Sequence, residues 1–322
     1  MPPETPPASA LGRAAAPPQD GFALRSRRFF LNQWAERGIV AILFIAASIA
    51  TLATVAIFWT MADNGWEFFR TVSLKEFLLG RTWAPDFQPR QYGIRPLLTG
   101  TIKIAFGAAA IGVPFGVGSA LYISEFASPR TRSILKPAIE ILAGIPSIVF
   151  GIVALFVIGP FIQGLFHLPT VFSALSATLA LAVMVVPIIC SIAEDALRAV
   201  PRELREGAMA LGSTKWEATW QVVLPAARSG ISAATILGFS RAVGETMVVT
   251  MAAGLVPTNS WSYLVPSQTI TAFIANRAAG DLPSGSVAYL SIFAVGLALF
   301  VITFGINLVA EFILARYRKR FA

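Results

Sequence analysis

Two charged side chains stand inside a long apolar run and are the first candidates for chemistry in this chain. Arg241 and Glu245 lie within residues 229–254, and Arg241 falls about 18 Å along a helix that starts at Ser229. The four-residue spacing puts both side chains on one face of that helix. A charge this deep in a bilayer costs at least ~2.5–3.5 kcal/mol, so we expect both groups to face a bundle interior and to pair.

Two interpretations of this pair are open. Arg241 and Glu245 line an anion pathway in which Arg241 transiently contacts phosphate or sulfate, or they form an ion pair that only fixes helix packing. The chain lacks the residues for metal-dependent, nucleophilic or ATP-binding chemistry. It has one histidine (His167), one cysteine (Cys190) and no Gly-x-x-x-x-Gly-Lys-Ser/Thr phosphate loop. We therefore predict no catalytic residue, no metal site and no cofactor held by this chain.

A polar stretch between two apolar runs has its own local pattern. Residues 206–225 read EGAMALGSTKWEATWQVVLP. Pro201, which suits the first turn of a helix, precedes good helix formers, and Gly212 follows them as a stop signal. Thr214 and Glu217 have the spacing of a capping box that opens a second helix. The pattern predicts two short helices bent at Gly212, the second ended by a proline.

The composition places these segments in a membrane. Of 322 residues, 56% are hydrophobic and only 13% are charged, which suits an all-α integral membrane protein. The net charge of +8 then reflects anionic lipid and topology rather than nucleic acid. Apolar runs of about 20 residues predict six transmembrane helices, at residues 39–60, 97–123, 138–163, 169–193, 229–254 and 286–314.

Two features of the second span are informative. Lys103 stands near one end, where its ammonium can snorkel toward the interface. Gly112 and Gly116 form a small-xxx-small pair that lets another helix approach closely.

Between the fifth and sixth spans, residues 267–279 have the pattern of a short amphipathic helix, either in a surface loop or in a re-entrant piece at the external gate.

The distribution of Lys and Arg predicts the orientation. The two ends and the loops after spans two and four hold 17 of these residues, and the other loops hold 6. The positive-inside rule puts the richer set, both termini included, in the cytoplasm of a multi-pass cell (inner or plasma) membrane protein. The chain is predicted to begin with a Pro/Ala-rich tail and interfacial segment at 1–38, a first helix at 39–60 and an extracytoplasmic loop at 61–96. A permease core follows at 97–316, with its cytoplasmic loop at 195–228. A basic end at 317–322 completes the chain.

The cytoplasmic stretch resembles the EAA motif (EAA-x3-G-x9-I-x-LP) of the membrane subunits of type I ABC importers. Gly207 stands where alanine is usual and Val222 where isoleucine is usual. The resemblance implies that the helical pair docks into a groove on an ATP-binding subunit and couples its motion to the membrane helices. It implies coupling roles for Glu206, Gly207, Ala208, Gly212, Val222, Leu224 and Pro225.

Further stretches resemble the permeases of phosphate ABC importers, and their order is more similar to the PstC type than to the PstA type. They are SRAVGETM (240–247), YGIRPLLTGT (92–101) and EILAGIPSIVFG (140–151). The resemblance implies half of a phosphate pathway, with ATP and Mg bound by a PstB-type dimer. It also implies a PstA-type second permease and an extracytoplasmic PstS-type phosphate-binding protein. An importer of molybdate, sulfate or phosphonate is the alternative, and a secondary transporter is a further one that lacks the expected inverted repeats.

Overall fold

The computed structural model describes residues 20–280 and 283–318, and side chains over 36–280 and 283–312. Part of the predicted tail (1–19) and most of the basic end (319–322) lie outside these ranges. The regular secondary structure of the described chain is helical apart from one short hairpin, β1 (Trp83–Ala84) and β2 (Gln91–Tyr92). Its helices are α1 (Asp20–Thr71), α2 (Leu74–Leu79), α3 (Arg95–Leu121), α4 (Pro129–Ala143), α5 (Ser147–Val153), α6 (Gly159–Phe166), α7 (Ala174–Arg198), α8 (Arg202–Ala210), α9 (Lys215–Ala218), α10 (Leu224–Ala226), α11 (Arg228–Val243), α12 (Met247–Ala252), α13 (Ile270–Ala278) and α14 (Val287–Arg318).

Five helical segments of the described chain are long and apolar enough to cross a membrane, and a sixth crossing exists only as a bent pair. In that pair, residues 215–226 and 228–243 meet at 71°. The five are Glu36–Thr71, Arg95–Phe126, Ser147–Phe166, Ala174–Arg198 and Val287–Phe312. Single π-helical turns continue α3 and join α5 to α6.

Three predicted segment boundaries were wrong. The first helix continues to Thr71, so the loop expected from residue 61 begins in helix. The third span starts at Ser147 rather than 138, because Gly144 and Pro146 separate α4 from α5. The fifth predicted span, 229–254, is interrupted between α11 and α12.

The chain divides into two units, Met1–Thr60 and Met61–Ala322. The main core of the second unit forms where α3 packs along α7. Gly112 and Gly116 lie on that contact, because a Cβ at either would come within 2.6 Å of Val185 or 2.8 Å of Ile189. The predicted close approach through this glycine pair is confirmed.

A second cluster of the same unit is aromatic and surrounds the hairpin. Trp83 pairs across the strands with Tyr92, and its ring lies 5.0 Å from that of Phe273 on α13. Phe68 and Phe77 complete the cluster in edge-to-face geometry. This packing holds the region between α1 and α3 against α13.

The segment from α12 to α13 has exposed residues such as Trp261, but its last part, residues 267–269, is buried. Lys103, on α3, is 1% exposed and donates hydrogen bonds from Nζ to the Ser260 carbonyl (2.9 Å), the Ser262 carbonyl (2.8 Å) and the Ser267 hydroxyl (2.7 Å). The predicted snorkelling of Lys103 was therefore wrong. Its acceptors come from a part of the chain more than 150 positions away, which the local sequence does not reveal.

Candidate functional site: coupling loop and broken helix

The bend between α8 and α9 is a Schellman motif centred on Gly212. The amide of Ser213 donates to the Ala208 carbonyl (3.2 Å), and the amide of Gly212 donates to the Met209 carbonyl (3.0 Å). Gly212 has φ +92°, a left-handed conformation that suits glycine because it has no Cβ. The predicted helix stop at Gly212 is confirmed.

The second helix of the loop opens with the predicted capping box. The backbone amide of Glu217 donates to the Thr214 hydroxyl, and the backbone amide of Thr214 donates to Glu217 Oε2 (2.8 Å). Pro201 is the N-cap of α8 rather than its first helical residue. Pro225 does not end the second helix; it lies in α10, after a π-helical turn at Thr219–Val223, and the helical path bends only before α11.

The motif residues divide between the outside and the inside of the loop. Glu206, Gly207 and Gly212 are exposed, and beside them Leu211 is 90% exposed at the tip of the bend. The other four are partly buried against the protein, namely Ala208, Val222, Leu224 and Pro225. The first part of the motif thus presents the Glu206 carboxylate outward beside the apolar tip, while the residues of its second part pack inward.

Arg205 fastens α8 to the rest of the protein. Its guanidinium donates to both carboxylate oxygens of Glu125 (3.0 and 3.2 Å), in the π-helical turn that ends α3, and to the carbonyls of Leu197 and Val200 (2.6 Å each). Sequence reasoning missed Arg205 and Glu125. A charged residue directly before the motif was the only signal, and its partner lies 80 positions earlier.

A second ion-pair cluster joins α4 to the end of α7. Glu194 is 2% exposed and accepts hydrogen bonds from Arg132 and from Lys136 Nζ (2.7 Å). Lys136 also reaches Asp195 at 3.3 Å. The hydrogen bond to Glu194 raises the pKa of Lys136, so this ammonium keeps its charge throughout the physiological range.

The structure separates Arg241 from Glu245. α11 ends at Val243, so a spacing of four residues no longer places the two side chains on one helical face. Arg241 is exposed and has no hydrogen bond or ion pair with the part of the chain that the structure describes, whereas Glu245 is 5% exposed. The predicted pairing and the predicted burial of Arg241 were wrong.

Glu245 is instead built into the break between α11 and α12. Its Oε1 accepts hydrogen bonds from the amides of Met247 (3.0 Å) and Val248 (3.4 Å), which begin α12. Its carbonyl accepts from the Thr271 hydroxyl at 2.6 Å. The carboxylate therefore satisfies backbone donors, and Arg241 has no partner in the part of the chain that the structure describes.

Residues 112–321 match the family described as the binding-protein-dependent transport system inner membrane component. The chain belongs to this family. The phosphate transport system permease protein PstC of Mesorhizobium japonicum is 35% identical over 93% of each chain. The probable ABC transporter permease protein YqgH of Bacillus subtilis is 34% identical over 86% of this chain and 88% of that protein. These relatives confirm the predicted resemblance and a multi-pass inner-membrane protein.

Solved structures agree on the fold. A chain of a bacterial alginate ABC transporter matches with a TM-score of 0.60 at 16% identity, over 85% of this chain and 94% of that one. A chain of the inward-facing MetNI methionine ABC transporter matches with a TM-score of 0.52 at 21% identity, over 70% of this chain and 94% of that one. The predicted fold, that of a type I ABC importer permease, is confirmed.

Proposed function

We propose that this chain is the PstC-type permease subunit of an ATP-driven importer of inorganic phosphate. It forms half of the pathway with a homologous PstA-type permease, and a PstS-type protein delivers phosphate from the extracytoplasmic side. A PstB-type dimer binds ATP and Mg and hydrolyses the ATP, so this chain has no enzymatic role. Both termini and the loop at 195–228 face the cytoplasm.

The coupling role rests on the geometry of the loop. Glu206, Gly207 and Gly212 are exposed beside the apolar tip at Leu211, which suits docking into a groove on another protein. Arg205 fixes the same helix to the end of α3. Movement of a docked ATP-binding subunit therefore reaches α3 through this ion pair, and the end of α7 through the hydrogen bonds of Arg205 to the Leu197 and Val200 carbonyls.

The observation that carries the anion pathway is the guanidinium of Arg241 beside the break in the fifth span, which is exposed and has no partner among the described residues. Arginine binds planar and tetrahedral oxyanions through two parallel N–H groups. A guanidinium without a carboxylate partner in the described part of the chain can meet an anion on the pathway and release it again. Glu245 contributes by fixing the break that holds Arg241 in place.

The test is transport by the reconstituted four-component system in vesicles. Labelled phosphate should move only when ATP and the binding protein are present, and excess molybdate, sulfate or phosphonate should leave its uptake unchanged. Uptake of one of these oxyanions without uptake of phosphate would overturn the substrate assignment and keep the architecture.

A further inference from the structure

A cavity of about 350 Å³ lies between the coupling loop and the ends of the membrane helices. Cationic side chains reach it from four different helices, together with Ser124 and Met209. The cations are Arg132 of α4, Arg198 of α7, Arg202 and Arg205 of α8, and Lys215 of α9. We call this cavity the loop pocket.

Two of these cations are already neutralised by buried carboxylates. Arg132 pairs with Glu194, and Arg205 pairs with Glu125, whose side chains are 3% and 7% exposed. Removing either cation would leave a buried carboxylate without its partner. These two arginines therefore build the wall of the loop pocket.

The positive charge of the other three cations is not neutralised by a close carboxylate. Arg198 Nε lies 3.9 Å from Glu194, a carboxylate that Arg132 and Lys136 already hold more closely. Arg202 and Lys215 form no ion pair within the described chain, and the ammonium of Lys215 lies 5.5 Å from the ring of Phe126.

One unpaired acid faces these three cations. Glu206 is the one lining acid that has no ion pair within the described chain. Positive charge thus exceeds negative charge in a cavity large enough for a tetrahedral oxyanion.

We propose that the loop pocket binds a phosphate group from the cytoplasmic side, either as free inorganic phosphate or as the headgroup of an anionic lipid. Arg198 stands on α7, while Arg202 and Lys215 stand on the two helices of the coupling loop, on either side of Gly212. A bound phosphate group joins the three elements through charge-assisted hydrogen bonds. An occupied pocket therefore stiffens the loop and slows the ATP-driven cycle. The proposal rests on the proposed orientation of the loop toward the cytoplasm.

The test uses the permease pair with its ATP-binding subunits in nanodiscs, and it measures basal ATP hydrolysis, which needs no cargo. The variant Arg198→Gln/Arg202→Gln removes one weakly paired and one unpaired cation, and it keeps Arg132 and Arg205 with their carboxylates. Lys215→Gln is a second, milder variant, and Arg130→Gln, an exposed position outside the pocket, is the control. Because no cargo is needed, the outcome does not depend on which oxyanion is transported.

Inorganic phosphate titrated into the wild type should slow hydrolysis, and each lost contact should raise the half-inhibitory concentration about tenfold. If the phosphate group belongs to a lipid, a larger phosphatidylglycerol fraction in the nanodiscs should slow ATP hydrolysis by the wild type and not by the double variant. Free phosphate should then have no effect on hydrolysis. Equal inhibition of wild type and both variants would place the effect in the ATP-binding subunit and overturn the proposal. The proposal would also be overturned if neither phosphate nor phosphatidylglycerol changed the hydrolysis rate. The same holds if the only effect of the double variant were a lower affinity for the ATP-binding subunit.

Discussion

Arg205 and Glu125 form a two-point ion pair, 3.0 and 3.2 Å, between the first coupling helix and the turn that ends α3. Both are largely buried, with side-chain exposures of 19% and 7%. Arg205 also caps two carbonyls at the end of α7. One guanidinium therefore joins the loop to the two helices that form the main core.

Arg205→Gln should abolish coupled uptake and reduce thermal stability. The substitution leaves Glu125 without a counter-ion, a loss of ~3–5 kcal/mol for a buried pair. Arg205→Gln/Glu125→Gln should recover stability but not uptake, because the rigid link is gone. Thermal unfolding in detergent and uptake in vesicles provide the measurements. Full uptake by the double variant would show that the link is not the route of coupling.

Gly212→Val should abolish ATP-driven uptake while the protein still inserts and assembles. A β-branched residue is strained at φ +92°. The matched control is Gly207→Ala in the same loop, because neither glycine has any atom within 4 Å of an added Cβ and only Gly212 has positive φ. Gly207→Ala should keep full uptake and stabilise α8 by about 0.5–1 kcal/mol. Normal uptake by Gly212→Val would contradict the coupling role.

Arg241→Gln should leave assembly and thermal stability unchanged and abolish phosphate uptake, because Arg241 has no partner among the described residues. Glu245→Ala should instead lower stability by about 1–2 kcal/mol, because the amides of Met247 and Val248 lose their acceptor. Stimulation of ATP hydrolysis by the binding protein should persist in Arg241→Gln. If the two variants lowered stability equally, Arg241 would have a structural partner, and the argument that it contacts an anion would fail.

Lys103→Met should loosen the segment between α12 and α13. Methionine fills similar space but leaves the acceptors at Ser260, Ser262 and Ser267 without a donor, a loss of roughly 2 kcal/mol. Hydrogen exchange over residues 258–268 should rise. Lys75→Met, at an exposed position on α2, is the control and should change neither quantity. Unchanged exchange in Lys103→Met would mean that packing alone holds the segment.

Cysteines at Ser213 and Ser284, each in a Cys190→Ser background, should label from opposite sides of the membrane. The 17-to-6 asymmetry of basic residues predicts that an impermeant thiol reagent outside intact cells reaches position 284 and not 213. Permeabilised cells provide the control, because both positions should then react. Labelling of 213 in intact cells would reverse the orientation.

The elements that the sequence predicted correctly are local ones. The capping box at Thr214 and the stop at Gly212 depend on residues within a few positions of each other. The glycine pair at 112 and 116 also acts locally, by removing side chains from one helical face. The caps follow from backbone chemistry before any tertiary contact forms, and the glycine pair marks where a second helix can approach.

The interpretations that failed depend on distant parts of the chain. Pairing of Arg241 with Glu245 assumed an unbroken helix, but the hydroxyl of Thr271, 26 positions later, binds the Glu245 carbonyl where the helix stops. Arg205 was overlooked because its partner, Glu125, lies in another helix. A single sequence carries no periodicity or spacing that would reveal either contact.

The hydrogen bonds of Lys103 also set an order of events during biosynthesis. The acceptors of its ammonium are encoded 157 to 164 positions later, so at ~5–20 residues per second the ribosome needs roughly 10–30 s to make them. During that interval α3 carries a cation with no acceptor from this segment, at an insertion cost of ~2.5–3.5 kcal/mol. The Lys103 ammonium therefore takes up its buried, fully hydrogen-bonded position only after the α12–α13 segment has been made.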